Sequence, residues 1–226
     1  PTDIFRRLGD MFDKVDANTN LWDHIRRTTT RMMWGYLWGC VFGMAFAYLL
    51  GMSRLARAAL EPTLNALYTV PKIALLSVFL FIFGLGDMPV KRLISTTVFF
   101  FVWVPLQSAV QNVAKSHIEA GESFGASRWQ LFRHVILPAT MPELFVTLRV
   151  AASVSVLTVI GIEFAFAPDY QGVGYIINNA RQTFDVRPAY AGIIVAALMG
   201  VIFQWLVKLV GRLFIRWPQE GHAAGS

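Results

Sequence analysis

Apolar residues in this chain come in long unbroken blocks. Residues 32–53 contain no charged side chain. About 20 residues at ~1.5 Å rise each cross the ~30 Å hydrocarbon core of a bilayer, so this block predicts a transmembrane helix. Four more blocks follow, at 63–85, 93–114, 144–167 and 189–209. They run well beyond the ~10 residues of a barrel strand and lack its alternation. Backbone groups in lipid must be paired within their own segment or in a closed barrel, so helices are what remains. The expected fold is an all-α membrane protein, a polytopic bundle of five transmembrane helices. Residues 1–30 are polar and mixed in charge and read as an N-terminal segment outside the bundle. Residues 31–217 form the transmembrane domain, and 218–226 read as a disordered tail.

Details within the blocks add further expectations. Gly35, Gly39, Gly43, Ala47 and Gly51 recur every four residues. That spacing puts small residues on one face, where a second helix approaches closely; a substrate path along the same face is the alternative. Pro71 and Lys72 lie near the middle of the second block, and Pro105 predicts a kink in the third. The aromatic cluster Phe99, Phe100, Phe101 and Trp103 reads as lipid-facing. Arg54, Arg57, Glu61 and Pro62 form a short polar loop, and residues 174–184 an amphipathic piece.

Composition sharpens the class. The chain is 55% hydrophobic and 15% charged, against about 25% charged in soluble domains. A formal net charge of +6 raises the question of nucleic acid, but the basic residues flank apolar blocks and form no stripe. They suit lipid head groups instead. Cys40 is alone, and His24, His117, His134 and His222 show no metal-ligand spacing. Arg54, Arg57, Lys115, Arg128 and Arg133 on one set of loops are balanced by Lys91, Arg92, Arg181 and Arg187 on the other. Basic residues therefore choose no side.

Residues 115–141 break the apolar pattern and carry the most informative motif. Glu119-Ala120-Gly121 is followed after three residues by Gly125, and after nine more by Val135-Ile136-Leu137-Pro138. This resembles the cytoplasmic signature of binding-protein-dependent permeases of ATP-driven (ABC) importers. That signature reads E-A-A, three residues, Gly, nine residues, Ile, one residue, Leu-Pro. Gly121 stands for its second Ala, and Val135 for its Ile. Leu21-Trp22-Asp23-His24-Ile25, Pro71, Phe83-Gly84-Leu85-Gly86, Glu163 and Gly172-Val173-Gly174-Tyr175 look like the nitrate, sulfonate, taurine and bicarbonate branch. Members of that branch usually have one further N-terminal helix.

The resemblance implies a permease subunit in the bacterial inner membrane that moves a small anionic solute inward. It implies a second permease protomer, identical or closely related, and a periplasmic solute-binding protein. Separate ATP-binding subunits with ATP-Mg would dock on the 115–141 loop through Glu119, Ala120, Gly121, Gly125, Val135, Leu137 and Pro138. The loop would be cytoplasmic and residues 1–30 outside. The loop's own chemistry agrees: Gly125 can take a positive φ between two short helices, and Ile118, Phe124, Trp129 and Phe132 offer apolar anchors. The chain has no phosphate-binding G-x-x-x-x-G-K-[ST] segment, so no cofactor is expected on it. Gly121-Glu122-Ser123-Phe124-Gly125 matches a nucleophile elbow in letters only, because that motif needs a preceding strand. A non-enzyme is expected. A stand-alone channel or secondary transporter is the rival class, though the inverted repeat typical of the latter is missing.

Three charges fall inside predicted spans: Lys72, Arg149 and Glu163. Each costs roughly 2.5–3.5 kcal/mol at a span centre unless it meets protein or water. They line a substrate path, or they form interhelical ion pairs or snorkel. The reading of the loops has a direct test. Single cysteines placed at Ser127 and Asn18 in a Cys40→Ala background should label from opposite sides of the membrane. Labelling of both from one side would overturn the topology.

Overall fold

The computed structural model describes residues 20–166 and 169–214, together with Gly9. The tail at 218–226 and most of the N-terminal segment lie outside the described residues. Everything regular among the described residues is helical.

Helix α1 spans Leu21–Met52, α2 Arg54–Thr69, α3 Leu75–Phe83 and α4 Asp87–Gln111. Helices α5 (Lys115–Ser123) and α6 (Arg128–Leu131) are short, and a π-helical turn at Phe132–Ile136 joins α6 to α7 (Leu137–Ala165). The chain closes with α8 (Val173–Gln182) and α9 (Val186–Phe214). Four of the predicted spans are long apolar helices; the fifth is the bent α2–α3 pair.

The seam between α1 and α4 organises the bundle. A Cβ on Gly35 would lie 2.5 Å from Ile94 Cβ, one on Gly39 2.6 Å from Val98 Cβ, and one on Gly43 2.8 Å from Val102 Cβ. A Cβ on Gly51 would overlap Val110. The partner number exceeds the glycine number by 59 each time (94 − 35, 98 − 39, 102 − 43, 110 − 51). The two helices therefore run parallel and in register along their length. Lipid gives no hydrophobic drive for such pairing; backbone approach at small residues supplies it through van der Waals contact. The stripe is a packing face, and α2–α3 is the return crossover that makes a parallel pair possible.

Polar bonds fix the remaining helices. Tyr36 donates to the Leu148 carbonyl (3.1 Å), tying α1 to α7, and Gln204 donates to Ser153 (2.7 Å), tying α9 to α7. At the end of α1, Arg57 donates to the carbonyls of Leu50 (3.0 Å) and Gly51 (2.7 Å). Those carbonyls lack partners in the last helical turn, and a cation there also suits the helix dipole.

Several sequence expectations need correction. Helix α1 starts at Leu21, not residue 32, because Asn20 caps it by accepting from the Asp23 N–H at 3.0 Å. Residues 21–30 are thus its first turns. Residues 54–62 are helical rather than a loop, with Ser53 as the cap. The second block is not one straight helix: α2 and the segment Lys72–Phe83 meet at 88°. Proline disfavours the helical region for the residue before it, and Val70 is extended at φ −64°, ψ 132°. Pro105, by contrast, sits inside one unbroken helix. The aromatic cluster is not lipid-facing as a whole, since Phe100 and Trp103 are buried and Phe99 packs edge-on to Phe46 and Phe100. The fourth span begins early, because Arg128–Ala165 is a continuous helical run of 38 residues.

The seam makes a sharp expectation about stability. Gly39→Ala sets a methyl group against the Ser95 carbonyl and Val98, and overpacking of that kind costs about 1–3 kcal/mol. Gly161→Ala, with nothing within 4 Å of the added carbon, should leave stability unchanged or raised. Detergent-induced unfolding of the two variants measures the difference, and equal midpoints would show that α1 and α4 do not approach this closely.

Candidate functional site: a helical knob and two charged clusters

The knob at 115–138 is built from local rules. Helix α5 ends in a reverse turn in which Gly125 N–H donates to the Glu122 carbonyl (2.9 Å) and Ala126 N–H to the Gly121 carbonyl (3.1 Å). That pair of bonds is the glycine-dependent helix stop, and it needs a left-handed residue after the cap. Gly125 has φ +75°. Ser127 then opens α6 with a reciprocal cap: Ser127 N–H donates to the Gln130 side chain at 2.7 Å, and Gln130 N–H to the Ser127 hydroxyl at 3.4 Å. Gly121 lets the two short helices touch, since a Cβ there would lie 2.5 Å from Leu131 Cδ2 and 3.9 Å from Val135 Cγ2. Gly121, which stands for the second Ala of the signature, is a contact point of the knob.

Side-chain contacts join the knob to the spans. Phe132 packs edge-on to Tyr48 of α1 at 5.2 Å, and the Tyr48 hydroxyl meets Thr140 of α7 at 3.1 Å. The π turn ends two residues before Pro138, which has no N–H for the His134 carbonyl. Leu137 and Pro138 form the first turn of α7. Outward, the knob shows Phe124 (90% exposed) and Trp129 (65% exposed) beside exposed Glu119, Ala120 and Glu122. Single exposed apolar residues are ordinary; two large rings on one tight turn next to carboxylates make a surface suited to a partner groove.

At the opposite end of the bundle lies a buried charge cluster. Arg31 of α1 donates to Glu163 of α7 (2.9 Å), to Asp87 of α4 (2.8 Å) and to the Gln171 carbonyl (2.9 Å). Thr28 donates to Glu163 and accepts from the Val173 N–H, and Gly174 N–H donates to Glu163 at 3.2 Å. His24 donates to the Gly172 carbonyl at 3.1 Å. Arg31 and Glu163 are both buried, Glu163 completely. Gly172 and Gly174 permit this, because a Cβ on the first would overlap the Glu163 carboxylate and one on the second the Ile160 carbonyl. Glu163 thus takes part in an interhelical ion pair. Arg31 and Asp87 escaped notice in the sequence. The available signal was the small-residue stripe continued backwards: one step of four before Gly35 is Arg31, and Thr28 and His24 follow on the same face.

Lys72 and Arg149 are not drawn into that cluster. Lys72 donates to the Tyr68 carbonyl, and its Nζ lies 4.5 Å from the Tyr68 ring and 5.0 Å from the Phe100 ring. Arg149 is exposed on α7. Among the described residues no group of His, Cys, Asp and Glu is arranged to hold a metal ion.

Over 203 residues the chain is 28% identical to the taurine transport system permease protein of Escherichia coli (strain K12), spanning 90% of this chain and 73% of that protein. It is 28% identical over 211 residues to a putative aliphatic sulfonates transport permease protein of the same organism, covering 93% and 80% respectively. Its fold is like that of the MetNI methionine ABC transporter in inward-facing conformations, with a TM-score of 0.73 at 18% identity over 87% of this chain and 96% of that one. The resemblance to taurine and sulfonate permeases thus holds over most of the sequence, and these relatives are transport components rather than enzymes. Residues 39–216 match the model of one family, and the chain belongs to it: the binding-protein-dependent transport system inner membrane components.

Proposed function

We propose that this chain is the permease subunit of an ATP-driven importer that carries a small organic anion into the cytoplasm. The observation that carries the proposal is the knob, with its Gly125 turn, exposed Phe124 and Trp129, and the Phe132–Tyr48–Thr140 link into two spans. A separate ATP-binding subunit docks there, using Glu119, Ala120 and the exposed rings, while Gly121, Gly125, Val135, Leu137 and Pro138 keep the knob in shape. ATP-Mg is held and hydrolysed on that subunit. Movement of the knob passes to α1 and α7 through Phe132 and Tyr48. Any such change must rest on contacts that differ between the two states.

The anionic solute is supported by relatives named for taurine and aliphatic sulfonates. A soluble binding protein outside the inner membrane delivers it to the Arg31 end. Two protomers enclose the path. Arg149 supports that arrangement, because it is exposed on α7 about 21 Å by helical rise from Glu163. A cation at that depth is expensive against lipid and needs protein or water beside it. Lys72, at the break beside Pro71, faces the same path.

Coupling provides the test. Gly125→Val places a β-branched residue where φ is +75°, a region such residues resist. Glu119→Ala removes a carboxylate, and a hydrogen bond to a charged group contributes about 1.5–3 kcal/mol, so ATPase affinity should fall about ten- to a hundredfold. Both variants should insert normally, since neither residue lies in a span. In reconstituted vesicles with the ATPase and binding protein, hydrolysis should lose its stimulation and uptake should drop. Wild-type coupling in both variants would overturn the proposal, and failure of any ATPase to co-purify would favour a stand-alone transporter.

A further inference from the structure

A cavity of about 390 Å³ lies between α1, the bent α2–α3 pair and α4. Its walls differ at the two ends. Arg92, Ser95, Thr96 and Phe99 lie along one face of α4, spaced as neighbours on successive turns. Phe79 of α3 and Phe100 continue the aromatic wall. Arg92 is near the outer start of α4, and the rings lie deeper along the helix.

Arg92 differs from Arg31 and Lys72. Arg31 has carboxylate and carbonyl partners, and Lys72 has the Tyr68 carbonyl. Among the described residues the Arg92 side chain has no hydrogen bond or ion pair, and its Nε is buried without a partner. The guanidinium carbon sits 5.0 Å from the Trp34 ring and 5.6 Å from the Phe83 ring. Stacking on two rings holds the plane of the guanidinium but does not satisfy its edge, where the N–H donors form a fork matched to a two-oxygen anion. Ser95, one turn along, adds a hydroxyl at the same end.

We propose that this cavity binds an organic anion, its anionic group on Arg92 and its hydrocarbon body against Phe79, Phe99 and Phe100. The assignment rests on the reading of the chain as a permease for small anions and adds the place and the second requirement, an apolar body. A bare inorganic anion would leave the aromatic end unfilled, and an apolar molecule would leave the guanidinium edge unpaired. A short alkanesulfonate in transit and the head group of an anionic phospholipid both present this chemistry.

The full chain in phosphatidylcholine nanodiscs, titrated calorimetrically with hexanesulfonate, tests it without any ATPase. Loss of coupling and loss of this site are therefore read separately. Saturable binding is expected, weakened at least tenfold by Arg92→Gln and less by Arg92→Lys. Inorganic sulfate should not compete. Phe79→Ala should narrow the preference for hexanesulfonate over methanesulfonate. Repetition in nanodiscs containing phosphatidylglycerol separates the sources: undiminished binding assigns the solute, and suppressed binding assigns the lipid head group. Absence of saturable binding in phosphatidylcholine, or equal affinity in Arg92→Gln, would overturn the proposal. Should Arg92→Gln fail to fold, Phe79→Ala decides alone, and an unchanged preference between the two sulfonates defeats it.

Discussion

The structure depends on burying Arg31 and Glu163 together. An ion pair inside a bundle repays desolvation only when geometry is good and the remaining donors and acceptors are satisfied. Here they are: Asp87 and the Gln171 carbonyl take other guanidinium donors, and Thr28 and Gly174 bond the carboxylate. Four elements, α1, α4, α7 and the start of α8, meet at this point. The glycines at 172 and 174 bring the backbone against the carboxylate. With one end clamped, motion of the spans has to be accommodated at the other.

That other end is constructed differently. Its links are ring contacts and a single hydroxyl pair, Tyr48 with Thr140, and its helix contains a π turn before a proline. Local departures from the α-helical ladder are places where a helix can change direction. The α1–α4 seam runs between the two ends in one register, close-packed along its length.

Much of this was legible beforehand, and what was missed has identifiable causes. Continuous apolar runs reveal spans because the bilayer sets their length. The four-residue spacing of Gly35 to Gly51 revealed a packing face because residues four apart stack on one side of a helix, where small side chains admit a neighbouring backbone. Gly125 was readable because its turn requires a positive φ. Pro71 stood in the middle of the second block, but hydropathy sums over it without seeing its effect on Val70, so the sharpness of the α2–α3 bend was not legible. Arg31 was missed because a charge at a span end looks the same in sequence whether it meets water or a buried partner. The aromatic cluster was misread for a related reason: Phe99 to Trp103 cover more than one helix face, and only packing decides which rings are enclosed. Arg92 was seen only as a loop charge, because its distinguishing feature is the lack of a partner among its neighbours in space.

The Arg31 clamp also imposes a timetable on biogenesis. Asp87 lies 56 residues after Arg31 in the chain, and Glu163 132 residues after it. At synthesis rates of roughly 5–20 residues per second, Arg31 waits about 3–11 s for its first carboxylate and about 7–26 s for its second. During that interval α1 stands in the membrane with an uncompensated cation near one end and an open glycine seam. The cation can reach head groups and water only while α1 stays near the surface at that end. The unpaired charge thus favours a shallow position for that end of the nascent helix until Glu163, early in the last third of the chain, has been made.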